Sequence, residues 1–136
     1  MLKACQYCGR VHDKRYVCAS RHKIMLERDA RQRERSERIC RFRSSGAWQR
    51  KSEAIRSRDE DTCLVCRNEI ERVFQCTGEL TGSEVHHIVP LAVDYDKRLD
   101  DDNLITLCRT HHESAEAGEI DVNYLISLAA ASEARS

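Results

Sequence analysis

Residues 84–113 read EVHHIVPLAVDYDKRLDDDNLITLCRTHHE, and the order of their parts decides the fold. With Ser83 in front, SEVHHIVPLAV alternates, becomes continuously apolar and is stopped by Pro90, the pattern of a strand that carries His86 and His87. DYDKRLDDDN is acidic and rich in turn formers, so it reads as a loop, and LITLC returns to a β-like run. In RTHHESAEAGEI, Thr110 and Glu113 have the spacing of a capping box, which predicts a helix from His111 that holds His112 in its first turn and ends at Gly118. The layout is strand, loop, short strand, helix. Adjacent imidazoles in a strand are costly to bury without partners, so His86 and His87 are expected to face a polar site or a metal.

Working outward, Cys63-x2-Cys66 and Cys108-x2-His111 bracket residues 67–107. Two such pairs can close around one zinc ion and staple the ends of a segment too short to build much of a core. Near the N-terminus, Cys5-x2-Cys8, Cys18 and His22 supply a second four-ligand zinc set, with His12 as the alternative to His22. Cys40 and Cys76 are left over and read as small buried thiols. MLKACQYCGR lacks the apolar region of a secretory signal, and no apolar run approaches the roughly 18 residues of a membrane span. A cytoplasmic protein without membrane attachment is expected, and in that reducing compartment CxxC pairs near His favour zinc over disulfides.

Between the two cysteine-rich stretches the sequence is strongly basic. Lys14 to Arg58 holds fifteen basic and five acidic residues, whereas Asp59 to Ser136 holds six basic and seventeen acidic, an asymmetry hidden by the net charge of zero. From Lys23 to Arg43 there is no Gly or Pro and almost no apolar face, and acid-before-base pairs recur four residues apart at Glu27/Arg31, Asp29/Arg33, Glu34/Arg38 and Glu37/Arg41. Such a helix connects domains or lies against a polyanion rather than packing in a core. Ser44, Ser45 and Gly46 interrupt it, and a second helix from Ala47 would bury Trp48, Ala54 and Ile55, with Trp48 as a core anchor. Arg50, Lys51, Arg56 and Arg58 fall largely elsewhere on that helix and are the candidate DNA contacts. A last helix over Ile120–Ala131, capped by Asp121, offers Val122, Leu125, Ile126 and Leu128 to a core. The expected organisation is a zinc-binding module at 1–22, a polar helix at 23–43 and a domain at 44–136; at 136 residues a large two-lobed enzyme is excluded.

The three histidines outside the zinc sets carry the chemistry. A divalent cation held by two imidazoles, with coordination positions left open, can bind a phosphodiester oxygen and stabilise its developing charge. A third, neutral imidazole can take the proton from an attacking water, and an amide such as Asn103 can orient that base or hold the loop. On residue types alone this ranks no higher than a second structural metal site.

VHHIVPL, DDDNLITLC and CRTHHE resemble the motif of the HNH nucleases, especially the small ones of phages and prophages, over about residues 44–124. CQYCG with YVCASRHK is similar to the zinc-binding lead segment of some phage members. The resemblance implies an α+β fold, with a zinc-stabilised ββα-metal (His-Me finger) core and flanking helices. It also implies a metal-dependent endonuclease that hydrolyses DNA, of phage or prophage origin, with phage packaging proteins as further partners. It matches His87 to the general base, His86 and His112 to the ligands of the catalytic cation (Mg2+, Mn2+, Ni2+ or Zn2+), and Asn103 to the middle Asn. Cys63, Cys66, Cys108 and His111 match the structural zinc ligands, although a fourth Cys is more usual at His111. Ser114 stands near a place that often carries a phosphate-binding Lys. The alternatives are a zinc-dependent DNA-binding protein without catalysis, which has no need of three non-structural imidazoles, and an RNA-cleaving nuclease, for which the scattered aromatics offer little platform.

Overall fold

The computed structural model describes residues 1–72 and 84–135. The chain divides into two compact units, Met1–Arg41 and Phe42–Ser136. In the first, β1 (Leu2–Ala4) pairs antiparallel with β2 (Val11–Asp13), with Lys3 opposite His12. The turn between them is a tight knuckle: Gly9 N–H donates to the Cys5 carbonyl at 2.8 Å, and Cys5 N–H donates to that of Arg10 at 2.8 Å. Gly9 has φ +71°, a conformation that side chains disfavour and that explains a glycine after Cys8. Helix α1 (Ala19–Arg43) follows and is exposed over most of its length. It starts four residues before the expected Lys23, so His22 is helical and exposed. Cys40 also lies on its exposed surface, contrary to the buried thiol expected, because this helix has no apolar face to turn inward. Cys76 lies outside the described residues.

Among the described residues, the second unit is built on one antiparallel pairing of short strands, β3 (Glu84–His87) and β4 (Leu104–Leu107), in which His86 stands opposite Ile105 and His87 opposite Leu104. β4 is buried along its whole length because helices cover it: α2 (Gly46–Arg58), α3 (Leu64–Arg72), α4 (Arg109–Glu116) and α5 (Val122–Glu133) all pack against it. Leu64, Val65, Ile88, Ile105, Leu107, Leu125 and Ala129 form the core together with Cys63, Cys66 and Cys108. The connection between the strands is two 3-10 turns, Asp96–Leu99 and Asp101–Asn103. The Phe42 ring packs 5.4 Å from Trp48 and 6.0 Å from Tyr95 within this unit.

Local signals set most of the helix ends. Ser45 accepts from Trp48 N–H at 3.2 Å and starts α2, and Asp121 accepts from Tyr124 N–H at 3.0 Å and starts α5. Gly118, at φ +74°, closes α4 as expected. The capping box does not form: α4 begins at Arg109, its N-cap is Cys108, and Glu113 pairs with Arg109 at 3.0 Å. Cys108 occupies the cap position because its sulfur is committed to a cluster with His111 one turn on. On α2, Ile55 is buried but Ala54 is exposed and Trp48 is half-buried, so Trp48 does not anchor the core. On α5, Leu125, Ala129 and Ser132 make the buried stripe, which leaves Val122 and Ile126 exposed.

A buried polar knot ties these elements together. Asp59, fully buried at the end of α2, accepts from Arg58 Nε at 2.8 Å, Thr106 N–H at 2.8 Å and Ser132 Oγ at 2.7 Å. It joins α2, β4 and α5, and breaking such a buried pair costs about 3–5 kcal/mol because the remaining charge is left without compensation.

Candidate metal centre

Adjacent residues of a strand point to opposite faces, so His86 and His87 are directed to different surroundings. His86 turns toward α4, and its ring meets that of His112 edge-on at 5.0 Å. Glu116 stands one helical turn beyond His112, and one ligand atom each from His86, His112 and Glu116 lie within 4.8 Å of one another. The second nitrogen of His112 is also engaged: Nδ1 is 3.3 Å from Glu84 Oε2, while Nε2 is 3.9 Å from Glu116 Oε1. A carboxylate on Nδ1 fixes the tautomer that leaves Nε2 free to bind a cation. Burial, and after it the charges of His112 and His87, lowers the His86 pKa to about 4, so this imidazole is neutral and a competent donor near pH 7. Two imidazoles and one carboxylate form a mixed nitrogen and oxygen donor set that suits a divalent first-row ion and leaves coordination positions for water or substrate.

His87 faces an aromatic nest. Its ring is stacked on Trp48 at 4.6 Å with 27° between the planes, and it meets the edge of Phe42 at 6.1 Å. Nε2 lies 3.1 Å from the carbonyl of Arg98, which makes it the protonated nitrogen and leaves the lone pair on Nδ1. Burial pushes the His87 pKa down, opposed by that carbonyl. The carbonyl is itself held in place from Asn103. That buried amide accepts from Val89 N–H at 2.7 Å and donates from Nδ2 to the carbonyls of Val89 and Lys97, each at 3.2 Å. Asn103 thus clamps the loop next to Arg98.

Two thiol clusters accompany this centre. In the second unit, His111 Nδ1 is 3.4 Å from Cys63 Sγ and 3.3 Å from the sulfurs of both Cys66 and Cys108, and those two sulfurs are 3.9 Å apart. Tetrahedral zinc, at about 2.3 Å from sulfur and 2.0–2.1 Å from nitrogen, sets its ligand atoms about 3.5–3.8 Å apart, so this quartet has the spacing of a zinc shell. In the first unit, Cys5 and Cys18 sulfurs are 3.6 Å apart and Cys8 Sγ is 3.8 Å from His12 Nε2. The backbone N–H of Tyr7 holds the Cys5 pKa at about 6, which favours the ligating thiolate. His12, not His22, completes this set, because the β1–β2 pairing folds His12 back over the knuckle while His22 sits out on α1.

The four basic residues expected at DNA separate. Arg50 is exposed and Arg56 half-exposed. Lys51 pairs with Asp101 at 2.8 Å. Arg58 cannot reach a phosphate: its side chain is 6% exposed and is spent on Asp59 and on the carbonyls of Asp101 and Leu104. Sequence reading also missed Glu116, Glu84 and the stacking of Trp48. The four-residue step from His112 to Glu116 on one helix was a usable signal. Glu84, across a strand-to-helix contact, and Trp48, far along the chain, gave none.

The family model for HNH endonuclease matches residues 63–118. Among solved structures, the chain is similar to the HNH endonuclease of the deep-sea thermophilic bacteriophage GVE2, a crystal structure with manganese ion. The identity is 31%, the match covers 67% of this chain and 91% of that one, and the TM-score is 0.59. No curated protein matches the chain.

Proposed function

The chain belongs to the HNH endonuclease family, and from that premise we propose that it is a phage-type, metal-dependent endonuclease that hydrolyses DNA phosphodiester bonds. The observation that carries this reading is the convergence of His86, His112 and Glu116 within 4.8 Å, on the same strand that presents His87. A divalent cation in that set would supply Lewis acidity to a phosphodiester oxygen and generate no proton of its own to manage. His86 and His112 would hold it through ring nitrogens, and the Glu116 carboxylate would admit a hard ion such as Mn2+, in keeping with the manganese in the phage GVE2 enzyme.

His87 takes the proton of the attacking water at Nδ1, since Nε2 stays on the Arg98 carbonyl. Trp48, stacked on the ring, holds it flat and favours the imidazolium that forms. Asn103 keeps the carbonyl in place, as a positioning residue. Cys63, Cys66, Cys108 and His111 would hold a structural zinc ion tying α3 to α4, and Cys5, Cys8, His12 and Cys18 would hold a second. Arg50 and Arg56 remain as DNA contacts on α2, and phage packaging proteins are the proposed partners.

The test is direct. After mild chelation, which thiolate zinc survives and a water-exposed mixed site does not, supercoiled plasmid is incubated with Mg2+, Mn2+, Ni2+ or Zn2+ added singly. Nicking that requires one of these ions is expected. Binding without nicking under all four would favour the non-catalytic DNA-binding protein.

A further inference from the structure

The first unit contains a cleft of about 280 Å³ to which the nuclease reading gives no role. Lys3, Lys14 and Arg21 line it together with the rings of Tyr7 and Tyr16, beside Cys5 and His12 of the thiol cluster. Part of the thiol cluster therefore forms a wall of the cleft. Tyr16 is 57% exposed, an unusual expense for a large ring, and it is held edge-on against His12 at 5.0 Å. The Arg21 guanidinium lies 6.0 Å above the Tyr7 ring. Asp13, the acid in the lining, already accepts from the terminal ammonium at 3.3 Å and from Arg15 N–H at 2.9 Å. Residues 1–23 hold six Lys and Arg against that one acid.

The exposed ring of Tyr16 among the side chains of Lys3, Lys14 and Arg21 is complementary to a nucleobase with its flanking phosphates. We infer that this cleft binds single-stranded DNA, with a base lying on Tyr16, next to the Arg21–Tyr7 pair, and its phosphates on Lys3, Lys14 and Arg21. Duplex DNA can offer the cations its phosphates but keeps its base faces stacked, so the rings select for an unpaired strand. The choice of DNA over RNA rests on the proposed nuclease reading; the use of the cleft does not. Such a site would retain a frayed or displaced strand while the second unit cuts.

The experiment uses the full chain with no divalent cation added, so that no cleavage occurs. Binding of a labelled single-stranded oligonucleotide and of the duplex of the same sequence is followed by fluorescence anisotropy, and zinc content is measured on every variant. Tyr16→Ala should weaken single-strand binding about fivefold or more, the low end for a lost stacking contact, with the duplex changed less than about twofold and Tyr16→Phe close to the parent. Lys14→Ala should weaken both substrates and flatten their salt dependence. In a separate assay with Mn2+ added, hydrolysis of bis(p-nitrophenyl) phosphate, a small diester with no base, should be unchanged in all variants that keep the parent's zinc. Parent-like single-strand affinity in both Tyr16→Ala and Tyr7→Ala, equal losses on the duplex, or tighter binding of the matching RNA would overturn the inference. A parent that cleaves no diester yet binds through Tyr16 would refute the nuclease reading and leave the cleft assignment standing.

Discussion

Replacing Asn103 by alanine removes three hydrogen bonds from one buried amide: the 2.7 Å bond from Val89 N–H and the two 3.2 Å bonds to the carbonyls of Val89 and Lys97. At a net value of about 0.5–1.5 kcal/mol each, the loss is about 1.5–4.5 kcal/mol. A domain with roughly 5–15 kcal/mol of stability stays folded through this, so catalysis remains measurable. The Lys97 carbonyl it releases precedes the Arg98 carbonyl that holds His87 Nε2. The cleavage rate at saturating cation should therefore fall by roughly ten- to a hundredfold through misplacement of the base. Cation affinity should stay as in the parent, because His86, His112 and Glu116 are untouched. Asn103→Asp keeps the acceptor for Val89 N–H but sets a charged oxygen against two carbonyls, and should destabilise at least as much. Urea unfolding, single-turnover cleavage and a calorimetric Mn2+ titration separate the three quantities. An Asn103→Ala protein with the parent's unfolding midpoint and rate would refute the clamp, and one that loses cation affinity in step with rate would place Asn103 on the wrong side of the mechanism.

Thr106 Oγ1 is buried without a hydrogen-bond partner among the described residues, so Thr106→Val should raise stability by about 1 kcal/mol; a lower urea midpoint would mean that the hydroxyl has a partner. Cys63→Ser or Cys108→Ser should remove one of two tightly held zinc ions and lower the melting temperature, and unchanged zinc content and melting in both variants would show that the two cysteines do not share an ion. Glu84→Gln leaves an acceptor for His112 Nδ1 but removes its charge, and should weaken Mn2+ binding by about tenfold, the low end for losing the partner of a ligating histidine. Equal Mn2+ affinity in the two proteins would dissociate Glu84 from the centre.

Much of this architecture was legible because its signals are local or covalently spaced. The CxxC pairs, the strand that carries His86 and His87, Asp121 as a cap and Gly118 as a helix end are each set within about one turn of chain. The readings that failed depend on contacts that sequence spacing does not carry. Trp48 and Ile55 share a helical face in sequence, yet Trp48 leaves the core to stack on His87 from across the fold. Arg58 looked like a surface cation of a basic helix and is instead the buried partner of Asp59. The Thr110–Glu113 box lost to the Cys108–His111 cluster, since sulfur held at the helix start leaves the cap position to Cys108. Spacing put His22 ahead of His12 as the fourth ligand, and the β1–β2 pairing reverses that order by bringing His12 to the thiols.

The division of labour between His87 and the His86–His112–Glu116 set is best tested by the cleavage rate of His87→Ala at saturating cation. If His87 is the base and not a ligand, this variant should keep the parent's zinc content, DNA binding and Mn2+ affinity while cutting about a hundredfold to ten-thousandfold more slowly, and added cation should not restore it. His112→Ala should instead bind Mn2+ more weakly and recover part of its rate as the ion is raised. A His87→Ala protein that nicks plasmid at the parent rate would contradict the account.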